Sequence, residues 1–514
     1  MIENLFLRNW RPYAWLALVI VAVFGPSLFF GFVCYDDNVL IRDRLEFLGN
    51  PAYVGKAFLQ HYFAAESQGG HYYRPWITLS YMTDTWIGGG KPWAYHATNL
   101  ALHIAVTGLV FMFFRTLLAG MKRDLAAFLA ALVFAVHPLQ VMAVGWIPGR
   151  NDMWLAFFML VGLLAFMRQR KTGSPLWMGV HLAAFVLGLL SKESAICLPL
   201  LCGVWLWLVE GKSRVRELMR DLPLIAWVGI LFVWLFMRSL ALGIVLTLDP
   251  FVTFGPLERI SVMTGLMLRY FGKILIPVGM ALIPDMAEST ALYGALGLVL
   301  LVGVYVRRRS PEDRLMAFGM ILGVSFLALS VPFSHTMGVR NLGLLEHRMY
   351  MPLVGFLAAW LIGIGWRSRV APILALAFVA MLGMVTVERL PALSDMQAFW
   401  SRAVKESPQS TDAWHNYGCV QVSVKRTEEA IAAFARSLEL DPHRPMSYFN
   451  LGGIYYNRGQ YGRAIENLKK ELENNRYSFK ACDLLAETYY KSGDVEQSKE
   501  WRRRANELRD LGLK

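Results

Sequence analysis

The sequence has few cysteines and no arrangement of them that is typical of a metal site. Only five occur among 514 residues, and none forms a CxxC pair or another spacing expected of zinc ligands. Cys419 and Cys482 would lie two repeats apart in the C-terminal part of the chain, beyond the few ångströms that a disulfide allows. Cysteine usage therefore indicates no metal site and leaves the redox compartment open.

Charged residues are also scarce, at 17%, whereas 56% of the residues are hydrophobic. The apolar residues are collected in runs near the length of about 20 residues that spans a bilayer. The sequence therefore predicts a polytopic membrane protein. Its formal charge of +13 would be compatible with nucleic-acid binding. The basic residues lie in short loops between apolar runs, however, which the positive-inside rule explains better, and no nucleic-acid partner is predicted.

The first apolar run, Trp15–Phe32, lacks a small-residue cleavage site and is predicted to be a retained helix. Leu257–Leu282 is apolar enough to span, but counting it would move the basic loop Arg307–Arg309 outside, so it is assigned as a surface or re-entrant helix. About eleven spans result, with the N-terminus inside and the C-terminus outside. The later ones are Tyr95–Phe114, Leu125–Val141, Trp154–Met167, Leu176–Leu190, Ala195–Val209, Leu222–Leu242, Ala291–Val306, Leu315–Val331, Tyr350–Trp366 and Ala371–Val387.

A 34-residue repeat begins after Trp400, where charged residues become frequent. Small residues recur at that spacing at Gly418, Gly452 and Ala486. This spacing is typical of tetratricopeptide (TPR) repeats, in which small residues allow two paired helices to touch. We therefore predict two domains, a membrane domain over residues 1–395 and about three TPR repeats over 396–514.

Two adjacent carboxylates, Asp36 and Asp37, stand where the first apolar run meets a polar loop. Taken alone, such a pair marks a helix end facing water. The predicted orientation, however, brings further charged residues to the same membrane face. They are Arg74, Arg150, Asp152, Lys192, Glu193, Glu346, His347 and Arg348. Each of these has a structural explanation of about equal weight, such as a loop clamp or an interfacial anchor, and for His137 a bond to a neighbouring helix is slightly preferred.

Glycosyl transfer from a polyprenyl-phosphate sugar needs this combination of residues. The lipid tail of the donor stays in the bilayer while its phosphate and sugar reach the aqueous face. A carboxylate can take the proton of an acceptor hydroxyl, and Arg or Lys can neutralise the departing lipid phosphate. Adjacent side chains point in different directions, so one aspartate would be the base, with Asp36 narrowly favoured over Asp37, and the other an orienting group.

The ordered motifs resemble the transmembrane-and-TPR O-mannosyltransferase family over nearly the whole chain. The motifs are Tyr35-Asp36-Asp37, Tyr73-Arg74-Pro75, His137-Pro138, Gly149-Arg150-Asn151-Asp152, Ser191-Lys192-Glu193 and Glu346-His347-Arg348-Met349-Tyr350-Met351-Pro352. The resemblance implies an all-α GT-C membrane fold and an inverting mechanism that needs no metal. In eukaryotic relatives the donor is dolichyl-phosphate mannose and the acceptor is protein Ser or Thr. This chain departs from many relatives in having only about three repeats.

The resemblance and the charge pattern together give a set of site predictions. Asp36 and Asp37 are the catalytic candidates. The candidates for donor-phosphate binding are Arg74, Arg150, Lys192 and Arg348, and the supporting candidates are His137, Asp152, Glu193, Glu346 and His347. The TPR repeats are expected to hold a protein acceptor or partner on the extracytoplasmic side, in a bacterial inner membrane or in the endoplasmic reticulum.

Two other functions stay open at this point. An oligosaccharide ligase or polymerase would use a diphosphate-linked donor, with a larger cavity and a metal. A membrane scaffold with a degenerate catalytic part would recruit partners through its repeats. A transporter is less favoured, because the polar residues collect at one membrane face rather than at mid-membrane.

Overall fold

The structure is a computed structural model, and it describes residues 7–33, 36–64, 72–119, 121, 123–211, 222–243, 256–284, 291–308, 312–330, 345–363 and 370–511. Regular structure in these residues is helical, which confirms the predicted all-α class. Some sequence predictions fall outside the described residues. They concern Tyr35 of the first motif and basic residues in loops predicted on the cytoplasmic side, namely Lys122, residues 212–220, Arg309 and residues 367–369.

The chain divides into two compact units. The first contains Met1–Leu282 and Met286–Asp395, and the second contains Met396–Lys514 with the short segment Ile283–Asp285. The first unit contains helices α1 to α13. They are α1 Arg11–Phe24, α2 Pro75–Gly88, α3 Pro92–Leu117, α4 Asp124–Val136, α5 Arg150–Thr172, α6 Pro175–Ser191, α7 Cys197–Trp205, α8 Leu222–Leu242, α9 Pro256–Leu275, α10 Ala291–Arg308, α11 Asp313–Ser330, α12 Tyr350–Gly363 and α13 Ala371–Arg389.

Every predicted span overlaps one of these helices, and the protein is an integral membrane protein. Among the described residues, six helical segments are long and apolar enough to cross a bilayer, or seven if α4 and the helix that follows it form one bent span. Two further apolar helices, α6 and Ala291–Val306 within α10, are shorter. The predicted number of eleven is therefore not confirmed.

A bend of 49° separates α4 from the helical segment Pro138–Gly145. Pro138 cannot donate a backbone hydrogen bond, and its ring disfavours the helical conformation of the preceding residue. His137 accordingly adopts an extended backbone, with φ −65° and ψ 134°. The break turns the chain before the two short helices Val141–Gly145 and Ile147–Gly149, which lead into α5.

The helices α11 and α12 pack with their backbones in contact. A Cβ atom added at Gly355 would overlap the backbone nitrogen of Gly323. Small residues allow such close approach, and in membranes this contact replaces the hydrophobic driving force that water provides elsewhere. The two helices therefore form a tight pair. The turn Glu346–Met349 lies directly before the second helix of this pair, α12.

The first polar loop packs on α2 through short turns. This loop contains the 3-10 turns Pro51–Tyr53 and Gly55–Phe58, which begin with a proline and a glycine. α2 has 14 residues and is about 21 Å long, which is too short to span a bilayer. Leu40, Tyr62 and Tyr81 belong to the core that joins loop and helix.

The second unit is a stack of paired helices. They are α14 Met396–Glu406, α15 Thr411–Ser423, α16 Thr427–Leu440, α17 Ser447–Asn457, α18 Tyr461–Asn474, α19 Phe479–Ser492 and α20 Val495–Asp510. Gly418 packs against the ring of Phe434. In the next repeat, Gly452 packs in the same way against Leu468. The small residues spaced by 34 thus lie where the paired helices touch, as the TPR pattern predicts.

Candidate active site

Asp36 and Asp37 begin the short helix Asp36–Leu40, which follows α1 after the turn Gly25–Phe29. Successive residues of a helix point about 100° apart, so the two carboxylates face different surroundings. Asp36 is half-buried and lines a cavity. Asp37 is buried, and one of its carboxylate oxygens accepts the backbone N–H of Val33 at 2.8 Å. This difference favours Asp36 as the carboxylate that meets a substrate.

The environment of Asp37 favours its protonated form. Burial raises the pKa of this carboxyl from 3.8 to about 7, and the neighbouring Asp36 adds to the increase. The hydrogen bond from the Val33 N–H acts in the opposite direction. Near neutral pH, Asp37 is thus close to half-protonated, and a protonated carboxyl can donate a hydrogen bond that a carboxylate cannot.

The cavity beside Asp36 collects seven of the predicted residues from five separate parts of the chain. They are Asp36, Arg74, Asp152, Lys192, Glu193, His347 and Arg348. Four aromatic side chains complete much of the wall, namely Tyr62, Phe63, Tyr72 and Trp146. The motifs did not predict these aromatic residues, although the polar loop between α1 and α2 is rich in them. Aromatic faces next to carboxylates are a suitable surface for the apolar faces and hydroxyls of a sugar.

Arg74 is held at the cavity by an ion pair and by aromatic rings. Its Nε and one terminal nitrogen donate to the same carboxylate oxygen of Glu193 at 3.3 and 3.1 Å. The other oxygen of Glu193 accepts the backbone N–H of Tyr73 at 3.3 Å. The guanidinium also lies over the ring of Tyr72, 4.4 Å from its centroid. Glu193 therefore orients the cation that the sequence analysis assigned to phosphate.

Lys192, the neighbour of Glu193 in sequence, is paired with Asp152. Its ammonium donates to one oxygen of Asp152 at 2.6 Å, and Nε2 of His347 lies 3.9 Å from the other oxygen. Burial lowers the pKa of Lys192, and the charge of Asp152 opposes this effect. Burial also lowers the pKa of His347 to about 3, with Lys192 and Arg348 contributing, so its imidazole is neutral at physiological pH.

Arg150 does not line the cavity, contrary to its predicted role in phosphate binding. It is fully buried, and a terminal nitrogen pairs with Asp84 at 2.5 Å. The same guanidinium donates to the side chain of Asn99 at 3.0 Å and to the Tyr95 carbonyl at 2.7 Å. The alternative of a clamp with Asp152 is also wrong, because the first turn of α5 directs Arg150 toward α2 and α3. Its partner is 66 residues away in sequence, where no local pattern could identify it.

Glu346 also lies away from the cavity. One of its carboxylate oxygens accepts the backbone N–H of Ala281 at 2.8 Å, and the other accepts from Arg389 at 3.1 Å. Lys273 of α9 lies 3.9 Å from the same carboxylate. These contacts tie the turn Glu346–Met349, which carries His347 and Arg348, to α9 and α13. Glu346 thus positions two cavity residues without lining the cavity itself.

His137 makes the contact that the sequence analysis slightly preferred. Its Nδ1 accepts the backbone N–H of Leu139 at 3.2 Å, so Nε2 carries the proton and donates to the carbonyl of Ile274 at 3.1 Å. Ile274 belongs to α9, so the histidine bonds to a neighbouring helix and is absent from the cavity wall. Within the described residues, no group of three or more His, Cys, Asp and Glu side chains has the arrangement of a metal site.

Comparisons with known proteins agree with the motifs and the repeats. Residues 402–505 match the family model of the anaphase-promoting complex, cyclosome, subunit 3. The protein O-mannosyl-transferase TMTC3 of Homo sapiens is 23% identical over 514 residues, which cover 89% of this chain and 54% of that protein. The protein O-mannosyl-transferase Tmtc2 of Drosophila melanogaster is 35% identical over 185 residues, which cover 34% of this chain and 19% of that protein.

The chain spans about half the length of its human TMTC3 relative and less of the other. Among solved structures, ArnT from Cupriavidus metallidurans bound to undecaprenyl phosphate superposes with a TM-score of 0.45 at 16% identity, over 89% of this chain and 79% of that chain. The sequence matches confirm the resemblance seen in the motifs. The protein is similar in sequence to protein O-mannosyl-transferases of animals, and its C-terminal part is similar to a TPR-type family model.

Proposed function

We propose that the protein is a membrane glycosyltransferase of GT-C type. It would move a mannose-like sugar from a polyprenyl-phosphate donor to a hydroxyl of an extracytoplasmic acceptor, with protein Ser or Thr as the favoured class. The observation that carries the proposal is the cavity in which Asp36 meets Arg74, Lys192 and Arg348. A base for the acceptor and cations for a leaving phosphate are the two requirements of this reaction.

The proposed step forms one bond and breaks another at the anomeric carbon. Asp36 takes the proton of the acceptor hydroxyl, and that oxygen attacks the anomeric carbon from the face opposite to the phosphate. The bond between the anomeric carbon and the phosphate oxygen breaks, and its electron pair leaves with the lipid phosphate. Arg74, Lys192 and Arg348 would stabilise the developing negative charge, so we expect transfer to proceed without a divalent metal. Attack from the opposite face inverts the anomeric configuration.

The experiment that tests this function is the substitution Asp36→Asn. The purified protein would be supplied with polyprenyl-phosphate mannose and a Ser/Thr-containing peptide, and the mass of the peptide would be measured. We expect the substitution to lower the rate at least about 100-fold, because general bases contribute factors of this size. Asp43→Asn is the matched control, because Asp43 is an exposed carboxylate in the same loop.

Two results would count against the proposal. Wild-type protein that transfers no sugar from a polyprenyl-phosphate donor, but uses a diphosphate-linked oligosaccharide, would instead support the ligase. Equal activity in the Asp36→Asn and Asp43→Asn variants would contradict the assignment of Asp36 as the base, and with it the proposed mechanism.

A further inference from the structure

A second cavity lies between α3, α5 and α6, at the end of α5 opposite to the candidate active site. Its volume is about 410 Å³. We call it the basic groove, because apolar side chains form its walls and two cations stand at one end. The residues that define it are Leu109, Met112, Leu164, Arg168, Lys171 and Trp177.

Helical spacing explains why these side chains meet. Leu109 and Met112 are three residues apart and share one face of α3. Leu164, Arg168 and Lys171 follow one another at four and three residues on α5, so the apolar wall continues directly into the cations. Both cations are exposed. An amphipathic track of this kind fits a molecule with an apolar chain and an anionic head.

The basic groove lies across the membrane from the candidate active site. α5 carries Asp152 near its start and Lys171 near its end. At 1.5 Å per residue the two are separated by about 28 Å along the helix axis. This distance is close to the hydrocarbon thickness of a bilayer, about 30 Å. The groove is therefore distinct from the donor and acceptor site.

The cations of the groove differ from their neighbour Arg170. Arg170 donates to Glu210 at 3.2 Å and is thereby neutralised. Within the described part of the chain, Arg168 and Lys171 form no ion pair with a carboxylate. Trp177 belongs to a residue type that is enriched at membrane–water interfaces, which is the level of lipid headgroups. Two cations beside an interfacial tryptophan match a phosphate at the membrane surface.

We propose that the basic groove binds an anionic glycerophospholipid. Its phosphate would lie between Arg168 and Lys171, and one acyl chain would lie along Leu109, Met112 and Leu164. The guanidinium can donate two parallel hydrogen bonds to phosphate, and the ammonium adds a second positive charge. A zwitterionic lipid would fit the same apolar wall, but its own cation would oppose the two basic side chains.

Photo-crosslinking of the full-length protein tests the proposal. The protein would be placed in phosphatidylcholine nanodiscs that contain a small fraction of phosphatidylglycerol with a photoreactive acyl chain. Peptides labelled within residues 109–116 and 161–180 would be quantified by mass spectrometry. We expect Arg168→Gln with Lys171→Gln to weaken competition by unlabelled phosphatidylglycerol about 30-fold, because each cation near an anionic headgroup contributes about a fivefold change in affinity.

The double variant Arg8→Gln with Arg314→Gln is the matched control. Arg8 and Arg314 are exposed cations predicted on the same membrane face, and neither lines the groove. Labelling in this variant should equal that of the wild type. Labelling of the groove that survives loss of Arg168 and Lys171, or equally strong labelling by a photoreactive phosphatidylcholine, would overturn the proposal. Both outcomes can be measured by mass spectrometry without any transferase activity.

Discussion

At the scale of single residues, the two aspartates have separate environments. Asp36 lines the cavity, whereas Asp37 is buried and accepts the Val33 N–H. Adjacency in sequence therefore places one carboxylate at the cavity and the other in the protein interior. The sequence motif favoured Asp36 as the base only narrowly, and this assignment stays a prediction.

The buried carboxyl of Asp37 should make stability depend on pH. Its pKa in the folded protein is about 7, above its value of 3.8 in an unfolded chain. Protonation therefore favours the folded state, and this contribution is present below about pH 4 and is lost as the pH rises through 7. Asp37→Asn cannot ionise, so we expect its Tm relative to wild type to increase between pH 4 and pH 8. Thermal unfolding across this range provides the measurement, and a constant difference in Tm would contradict the assignment.

The cations of the cavity should act on the donor rather than on the acceptor. We expect Lys192→Ala and Arg348→Ala to raise the KM for the polyprenyl-phosphate sugar about tenfold, with a smaller change for the acceptor, because a lost charge-assisted hydrogen bond to phosphate costs about 1.5–3 kcal/mol. Separate titrations of the two substrates provide the measurement. Lys91→Ala removes an exposed cation that is absent from the cavity wall and serves as the control. Unchanged donor dependence would assign Lys192 and Arg348 to structure.

At the scale of helices, the apolar runs were sufficient to predict where the helices lie. Hydrophobic length and proline placement act locally, so they can be read from one sequence. The charged partners could not be predicted in this way. Asp84 pairs with Arg150, and Arg389 and Lys273 pair with Glu346, across long separations in the chain. The motifs thus supplied the candidate charged residues, but only the packing of helices showed which of them reach the cavity.

The pair of Arg150 and Asp84 should hold the start of α5 against α2. We expect Arg150→Met to destabilise the protein by about 3–5 kcal/mol, because it leaves the buried carboxylate of Asp84 without its partner. Adding Asp84→Asn should restore a substantial part of this loss. Thermal unfolding of the two single variants and the double variant gives the coupling. If the stability losses of the two single variants simply add in the double variant, and Arg150→Met selectively loses donor binding, Arg150 would be assigned to phosphate binding instead.

At the scale of the whole molecule, topology decides what the TPR unit can meet. The basic loops predict that residues 396–514 lie on the same side of the membrane as Asp36. Paired helices offer an extended surface that suits a peptide or a partner domain better than a sugar. We therefore propose that the repeats hold a protein acceptor and raise its local concentration.

Removal of the repeats should separate acceptor choice from chemistry. The cut belongs before Met396, because α14 is part of the second unit. We expect the truncated protein to modify its natural protein acceptor at least about tenfold more slowly, while transfer to a short Ser/Thr peptide continues. The ratio of the two rates is the measurement. An equal loss on both acceptors would contradict this role, as would a cysteine in the repeats that reacts only with reagents on the cytoplasmic side.

The pairing of Arg74 with Glu193 and of Lys192 with Asp152 has a consequence for turnover. Each cation already has a carboxylate, so an arriving phosphate replaces one anion by another, as in an ion-exchange resin. In the proposed reaction, the donor would gain only the difference between two similar interactions, and the released lipid phosphate would compete with the same carboxylates. We expect such a site to bind its donor moderately and to release its lipid product readily, so that exchange of anions helps to reset the enzyme for the next sugar.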